Sequence, residues 1–203
     1  MTLYKKREKF SGISRETGKA LSKAGISPNT WTILSLIPAF ITMYFLFEQD
    51  FIWASIFFAV AAFLDFVDGS VARASHRVTK YGAYLDTIVD RYVEGIVLFG
   101  LIFAGLPDFI LPIAAWIFLY LFGSVMTTYV KAAAKEKELI PEGKELKGGL
   151  LERAERLLLL FLGLVLGYFS RECLTLVIVL LAVFANLSAI QRIRIAGKST
   201  KQQ

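Results

Sequence analysis

The segment from Ala24 to Phe47 reads AGISPNTWTILSLIPAFITMYFLF and contains no charged residue. Two other segments, 109–130 and 173–191, are also free of charge. A helix that crosses a membrane needs about 20 consecutive apolar residues, and each of these segments can hold one. The whole chain of 203 residues is 56% hydrophobic, which is more than soluble domains usually are. These features predict an all-α integral membrane protein.

Three shorter apolar stretches complete the pattern. They cover residues 51–64, 95–107 and 157–170 and are too short to cross a bilayer alone. Each becomes long enough if its helix extends into a neighbouring charged segment. The sequence therefore predicts six transmembrane helices, at about 30–48, 51–75, 80–105, 108–134, 150–169 and 172–194, with a kink at Pro38 in the first.

The basic residues are distributed unevenly along this six-span pattern. All but one of the 23 Lys and Arg residues fall on one side, and the exception is Arg171. An excess of Lys and Arg marks the cytoplasmic side of a membrane protein. We therefore expect a multi-pass protein of the cell membrane with both termini in the cytoplasm. Topology also accounts for the net charge of +6, so this charge does not indicate nucleic-acid binding.

The two ends of the chain differ from the spans in composition. In residues 1–26, apolar residues recur at roughly helical spacing among basic ones, which predicts an amphipathic juxtamembrane helix on the cytoplasmic membrane surface. A disordered basic tail is the alternative. Residues 27–195 are predicted to form one six-span domain, and residues 196–203 a loose C-terminal tail.

Four aspartates on two neighbouring predicted spans form the clearest chemical pattern. Residues 65–73 read DFVDGSVAR, and residues 82–90 read GAYLDTIVD. Helix positions three or four apart share a face. The spacing therefore places two aspartates on one face of each span, Asp65 and Asp68 on the second and Asp86 and Asp90 on the third. Both faces lie just inside the cytoplasmic boundary of the six-span arrangement, so the predicted site is cytoplasmic.

Carboxylates that converge on one site need a compensating positive charge. At low effective dielectric, each close like-charged pair costs on the order of several kcal/mol. Arg73 alone is too little, and Glu94 continues the face of the third span. Hard oxygen ligands at this density suit Mg²⁺ or Mn²⁺, and two such ions commonly hold a diphosphate in phosphoryl chemistry. Gly69, Ala72 and Gly82 on the same faces leave room for a nucleotide against the helix backbones.

The complete pattern D-x-x-D-G-x-x-A-R-x(8)-G-x-x-x-D-x-x-x-D runs from Asp65 to Asp90 without a substitution. It resembles the signature of the CDP-alcohol phosphotransferase (CDP-alcohol phosphatidyltransferase) family, and the six-span layout resembles that family too. The resemblance implies a homodimeric membrane enzyme that moves a phospho-alcohol from a CDP-linked lipid donor to an acceptor hydroxyl and releases CMP.

The resemblance also implies roles for individual residues. The metal ligands would be Asp65, Asp68, Asp86 and Asp90. Asp90 would also be the general base. The CDP-lipid would contact the start of the first span and the two aspartate faces, at Pro28, Asn29, Thr30, Trp31, Asp68, Gly69, Ala72, Arg73, Thr79 and Gly82.

Polar and basic residues at three cytoplasmic span ends bear on the acceptor. They are Thr128, Lys131, Arg153, Arg192 and Arg194. Arginine pairs well with phosphate oxygens, so this set would suit a small polyol that carries a phosphate. Alternatively, the basic residues only determine topology. The segment GLLERAER at 149–156 resembles phosphatidylinositol-phosphate and archaetidylinositol-phosphate synthases, which implies inositol 1-phosphate as the acceptor. Glycerol 3-phosphate, the acceptor of phosphatidylglycerophosphate synthases, is the alternative.

Two functions outside this enzyme class also place carboxylates in a membrane protein. A cation transporter predicts polar groups that continue towards the far side of the membrane. The second and third spans instead become apolar away from their cytoplasmic ends. A purely structural membrane protein leaves the four aspartates unexplained. Donors with diacylglycerol tails and with archaeol tails are equally compatible with the sequence.

Overall fold

The computed structural model describes residues 14, 16–23, 25–75, 77–140 and 148–199, and most of these residues are helical. Within these ranges, the only extended pairing is an isolated bridge between Phe109 and Leu111. The helices in chain order are α1 (residues 16–22), α2 (Pro28–Leu34), α3 (Leu36–Phe47), α4 (Phe51–Ala74), α5 (Lys80–Ile102), α6 (Ile113–Glu136), α7 (Arg153–Phe169) and α8 (Arg171–Ser199). The predicted all-α fold is therefore confirmed.

Among the residues that the structure describes, four helical segments are long and apolar enough to cross a membrane. They are Pro28–Phe47, Phe51–Ala74, Ile113–Glu136 and Arg171–Lys198. The other two predicted spans correspond to α5 and α7. Helix α5 has 23 residues but carries several ionisable groups, and α7 has 17 residues. The six-span count therefore stays a prediction.

Large apolar side chains lie on the outside of the helices. Phe63, Phe118 and Leu180 are each more than half exposed. Exposed apolar residues on this scale are unusual for a monomeric soluble protein and mark a surface that meets another apolar phase. Lipid chains provide that phase for helices long enough to span a bilayer.

The first predicted span is interrupted at Ser35, between α2 and α3. Pro38 explains the position of the interruption, because proline has no amide hydrogen to donate to the Leu34 carbonyl and its ring crowds that carbonyl. The Ser35 amide instead donates to the carbonyls of Trp31 and Thr32, each at 3.2 Å. The disturbance expected at Pro38 thus appears three residues earlier.

Helix α6 begins at Ile113, later than the start near Asp108 that the uncharged run indicated. Pro112 precedes the helix, and the Asp108 carboxylate accepts a hydrogen bond from the Ile113 amide at 2.8 Å. The Trp116 indole N–H donates to the Phe109 carbonyl at 2.7 Å. These local bonds hold the residues before Ile113 in a turn, although their composition is compatible with a helix.

Near both ends of the chain, the helix boundaries can be compared with those that the sequence predicts. Helix α8 continues to Ser199, so residues 196–199 are helical and not part of a loose tail. Residues 200–203 lie outside the described residues. At the other end, Ser14 and residues 16–22 are helical. Residues 1–13 lie outside the described residues, so the amphipathic juxtamembrane helix stays a prediction.

The chain divides into two compact units. The first comprises Met1–Phe45 and Trp53–Val97, and the second comprises Leu46–Ile52 and Leu98–Gln203. The first unit therefore contains α1, α2 and most of α3, α4 and α5, with all four aspartates. The second unit contains α6, α7 and α8, with the five residues predicted to bind the acceptor phosphate.

In the first unit, α1 lies directly against α4. A Cβ atom added to Gly18 would collide with the Ser70 carbonyl oxygen and would lie 2.9 Å from the Ala74 Cβ. Val67 and Val71 of α4 are almost completely buried. Glycine at position 18 therefore permits a close helix contact that any larger residue would prevent.

In the second unit, α8 packs against both α6 and α7. A Cβ atom on Gly123 would lie 2.8 Å from the backbone nitrogen of Asn186, and one on Gly163 would lie 2.9 Å from the Val177 Cγ1. Asn186 Nδ2 donates to the Leu119 carbonyl at 2.8 Å. Small residues let membrane helices approach closely, and a polar side chain then joins two of them.

The turns of the second unit are joined by Arg171. Its Nη1 donates to the Gly105 carbonyl at 3.1 Å, and its Nη2 donates to Gln49 Oε1 at 2.9 Å. The guanidinium also lies over the Phe51 ring, 5.9 Å from its centroid. Arg171, which the sequence places apart from the other basic residues, thus connects three turns.

Candidate functional site

Three of the four predicted aspartates form one cluster in the first unit. Asp65 and Asp68 of α4 and Asp86 of α5 each offer a carboxylate oxygen, and the three oxygens lie within 4.8 Å of one another. The helix repeat places Asp65 and Asp68 on one face, and α5 follows α4 after a short turn. Three hard oxygen ligands at this spacing suit Mg²⁺ or Mn²⁺.

The surroundings of Asp68 support this assignment. Its side chain is only 5% exposed, and its Oδ2 atom has no hydrogen-bond partner among the described residues. Thr32 lies next to this carboxylate, and its Oγ1 donates to the Pro28 carbonyl at 3.2 Å. A buried carboxylate oxygen without a partner is costly, and a bound cation removes that cost. The residues present therefore fit a divalent metal site.

Asp90 and Glu94 follow Asp86 along the same helix. The cluster found among the described residues consists of three aspartates, and Asp90 is not one of them. Asp90 is buried one helical turn after Asp86, and its roles as a ligand and as a base stay predictions. Glu94 is also buried, but its Oε2 lies 2.7 Å from Arg91 Nη1 in an ion pair. Arg91 therefore balances the charge that Glu94 adds to this face.

Arg73 lies on α4, five positions after Asp68. A Cβ atom on Gly69 would lie 3.2 Å from Arg73 Nη1 and 3.8 Å from its Cζ, so the guanidinium folds back over Gly69. Nη2 donates to Ser14 Oγ at 2.9 Å. The sequence assigned Gly69 to a nucleotide slot, and the structure shows that this glycine also makes room for Arg73. Ala72, one residue before Arg73, is half-buried.

The starts of α2 and α5 lie together. Asn29 Oδ1 and Thr79 Oγ1 each lie 3.1 Å from the position that a Cβ on Gly82 would take. Thr79 caps α5, because its Oγ1 accepts a hydrogen bond from the Gly82 amide at 2.9 Å. The structure therefore brings together three residues that were predicted to contact the CDP-lipid, and a side chain at position 82 would fill the space between them.

The other predicted donor contacts lie at the start of α2. Pro28 is the first residue of the helix, and Ser27 caps it by accepting a hydrogen bond from the Thr30 amide at 3.2 Å. Thr30 is exposed, and Trp31 is half-buried. Within the described part of the chain, the buried Trp31 Nε1 atom has no hydrogen-bond partner. This N–H donor is therefore left unsatisfied by the described residues.

Arg192 holds the second unit together near the predicted phosphate residues. It is 9% exposed, its Nη1 donates to the Thr127 carbonyl at 2.7 Å and its Nε donates to the Gly148 carbonyl at 2.8 Å. Ser188, one helical turn earlier, accepts hydrogen bonds from the amides of Leu150 and Leu151. Helix α8 thereby fixes the segment that leads into α7.

The remaining predicted phosphate residues are more accessible than Arg192. Thr128 and Arg153 are half-buried, and Lys131 and Arg194 are exposed. Two positions along a helix correspond to about 200° of rotation, so Arg194 faces away from the side on which Arg192 meets α6. The two arginines, which the sequence leaves equivalent, thus have different surroundings.

Four residues with evident roles lie outside the predicted set of binding residues. Thr32 contacts Asp68, Arg91 pairs with Glu94, and Ser14 binds Arg73. Arg156 is 2% exposed, and its Nη2 donates to Ser124 Oγ at 3.2 Å. The spacing of Arg91 and Glu94, three positions apart on a helix, was readable in the sequence. The other contacts join distant parts of the chain.

Comparisons with known sequences agree with this arrangement. The family model for CDP-alcohol phosphatidyltransferases matches residues 25–188. An archaetidylinositol phosphate synthase from Pyrococcus horikoshii is 34% identical over 196 residues, which cover 97% of either chain. A phosphatidylinositol phosphate synthase from Mycobacteroides abscessus is 33% identical over 161 residues, which cover 77% of this chain and 70% of the relative.

Solved structures of a phosphatidylinositol phosphate synthase from Mycobacterium tuberculosis have a similar fold. The structure with CDP-DAG bound has a TM-score of 0.77 and 26% identity, and the match covers 91% of this chain and 93% of that chain. The structure in complex with manganese and citrate has a TM-score of 0.78 and 26% identity, with 91% and 88% covered.

Proposed function

The chain belongs to the CDP-alcohol phosphatidyltransferase family, and from this membership we propose that it transfers the phospho-alcohol of a CDP-linked lipid to inositol 1-phosphate and releases CMP. It is an integral membrane enzyme of the CDP-alcohol phosphotransferase type. The observation that carries the proposal is the cluster of Asp65, Asp68 and Asp86, whose carboxylate oxygens lie within 4.8 Å of one another inside the family signature.

The donor binds at the cluster in this proposal. Asp65, Asp68 and Asp86 hold the divalent metal, and the Mn²⁺ of the similar manganese complex supports this choice of ion. Bound Mg²⁺ or Mn²⁺ supplies positive charge to the diphosphate and to the CMP leaving group. Arg73, lying over Gly69, is proposed to bring a further positive charge to the donor. The similar structure with CDP-DAG bound supports a CDP-lipid as the donor.

Asp90 is the proposed general base. Its carboxylate accepts the proton of the attacking hydroxyl while that oxygen forms its bond to phosphorus and the bond to CMP breaks. Asp90 is buried and lies one helical turn after Asp86, which supports this role. An unactivated alcohol is a weak nucleophile, so holding the hydroxyl beside this base contributes as much as the base itself.

The acceptor phosphate is assigned to the second unit. Arg153 is the first residue of α7, where a helix N-terminus also favours an anion. Thr128 and Lys131 lie near the end of α6, and Arg192 contacts that helix at Thr127. We therefore assign Arg192, and not Arg194, to the pocket. Its hydrogen bond to the Gly148 carbonyl fixes the segment that leads into α7 and Arg153. The names of the relatives support inositol phosphate as the acceptor.

The proposal includes the arrangement of the chain in the membrane. We infer six spans, with both termini and the active site in the cytoplasm, from the distribution of the basic residues. A homodimer is proposed from the family resemblance alone. The short α7 then forms the fifth span. Helix α5, including its charged first half, forms the third.

The acceptor is tested with one preparation of the full-length protein and CDP-diacylglycerol in detergent micelles. CMP release is measured with inositol 1-phosphate, free inositol, glycerol 3-phosphate and serine. We expect inositol 1-phosphate to give the highest kcat/KM. Preference for free inositol or serine would rule out the phosphate pocket, whereas preference for glycerol 3-phosphate would keep the pocket and replace the acceptor.

A further inference from the structure

We propose that Ser14 is a positioning residue of this enzyme: its hydroxyl holds the Arg73 guanidinium over Gly69, in the orientation from which Arg73 contacts the diphosphate of the CDP-lipid. The inference rests on the proposed function, because it concerns how the donor is bound. It makes the N-terminal part of the chain a component of the donor site.

The hydrogen bonds around Ser14 have a defined direction. A serine hydroxyl has one hydrogen to donate, and Ser70 donates its hydrogen to the Phe66 carbonyl at 2.8 Å. In the 2.8 Å contact between the two serine hydroxyls, Ser14 is therefore the donor. Its oxygen remains as the acceptor for Arg73 Nη2 at 2.9 Å. The bonds run from Arg73 through Ser14 and Ser70 to the carbonyl, and Arg73 Nη2 also donates directly to Ser70 Oγ over a longer distance of 3.4 Å.

This set of bonds limits where the guanidinium can lie. Arg73 is exposed, and an exposed arginine samples many rotamers unless something holds it. Ser14 is buried at 9% exposure, so its hydroxyl is a fixed point. The guanidinium then lies against Gly69, with Nη1 3.2 Å from the position of an added Cβ. Gly69 directly follows Asp68, so the guanidinium is held against the α4 backbone next to a residue of the cluster. An arginine held in its binding orientation loses less entropy when the ligand arrives.

Gly18 keeps Ser14 in place. The two residues are four positions apart, so they share one face of the N-terminal helical region. A Cβ on Gly18 would collide with the Ser70 carbonyl oxygen, which belongs to the backbone of α4 and cannot move aside. Glycine therefore lets α1 approach α4 closely enough for the Ser14 hydroxyl to reach both Ser70 and Arg73.

The test uses CMP release by the full-length protein from CDP-diacylglycerol micelles in the presence of Mn²⁺. Ser14→Ala should raise the KM for the CDP-lipid about three- to tenfold, the effect of one hydrogen bond, with kcat within about twofold of wild type. The KM for inositol 1-phosphate should not change. Gly18→Ala should shift the same KM in the same direction. The matched control is Ser22→Ala, because among the described residues the Ser22 hydroxyl donates to the Lys19 carbonyl of its own helix, at 3.0 Å.

A double-mutant cycle separates positioning from general stability. In an Arg73→Ala background, Ser14→Ala should have no further effect on the KM, because the side chain through which it acts is gone. An equal effect in both backgrounds would overturn the proposal, as would an unchanged KM or a loss confined to kcat. A wild-type protein that releases no CMP from CDP-diacylglycerol would refute the proposed function together with this inference. An active wild type with an unaffected Ser14→Ala variant would refute the inference alone.

Discussion

Replacing Asp68 by asparagine should change the stability of the protein in opposite directions with and without metal. Asp68 is buried and belongs to a cluster of three carboxylates whose oxygens lie within 4.8 Å of one another. Without a cation, these charges repel, so removing one should stabilise the fold. With Mn²⁺ present, the same change removes a ligand, so the variant should gain little from the ion.

The size of the repulsion follows from the distance. Two unit charges 4.8 Å apart interact by about 3.5 kcal/mol at an effective dielectric constant of about 20. Asp68 takes part in two of the three pairs, so asparagine removes about 7 kcal/mol of repulsion before solvent and protons respond. Because most of this is already relieved by solvent and protons, we expect a rise in Tm of at least about 2 °C in EDTA.

The effect of the ion is calculated from binding linkage. At a Mn²⁺ concentration of about 100 times the Kd, binding stabilises the wild type by about 2.7 kcal/mol, or about 5–10 °C in Tm for a chain of this size. Loss of even an outer-shell partner weakens metal binding about 10- to 100-fold, so loss of a direct ligand should cost at least about 100-fold. At the same Mn²⁺ concentration, the variant should then gain about 1 °C.

The assay is thermal unfolding of the detergent-solubilised protein in EDTA and during a Mn²⁺ titration. Glu136→Gln is the matched control, since Glu136 is an exposed carboxylate of α6 outside the cluster. It should keep the metal-dependent rise of the wild type. If Asp68→Asn gains as much from Mn²⁺ as the wild type, or is less stable than it in EDTA, the cluster does not act as a metal site.

Three further predictions concern the acceptor, the turns and the topology. Arg153→Lys should raise the KM for inositol 1-phosphate about ten- to hundredfold with the CDP-lipid KM unchanged, because lysine makes no two-point contact with phosphate; a similar rise in both values would contradict this. Arg171→Ala should lower Tm by about 2–4 °C with kcat unchanged, because it removes the bonds to Gly105 and Gln49 at an exposed site; unaltered melting would show that these bonds contribute nothing. A reporter fused after Gln203 should be cytoplasmic, and an exterior signal would reverse the assigned orientation.

The helices and the aspartate cluster were predictable because both depend on local periodicity. Charge-free runs place the apolar helices, and a spacing of three places Asp65 and Asp68 on one face. The short turn after α4 then makes Asp86 a neighbour. The same spacing rule placed Glu94 on this face. It does not show that the charge of Glu94 is balanced by an ion pair with Arg91, three positions earlier.

The contacts made across the fold were not predictable. Nothing in the sequence around Ser14 indicates that it lies against Ser70 and Arg73, because that contact depends on how α1 packs on α4. Arg192 and Arg194 carry equal charge two positions apart on α8, and only the position of α6 distinguishes them. Composition also did not predict where α6 begins. The residues before Ile113 are apolar, but hydrogen bonds hold them in a turn.

The central claim is that the protein transfers a phospho-alcohol and does not hydrolyse the donor. It is tested most directly by measuring CMP and the lipid product together, with CDP-diacylglycerol, inositol 1-phosphate and Mn²⁺. We predict equal amounts of CMP and a lipid that contains both phosphates, with neither formed in EDTA or without the acceptor. CMP that appears without the acceptor, accompanied by phosphatidic acid, would contradict the account, and so would full activity in EDTA.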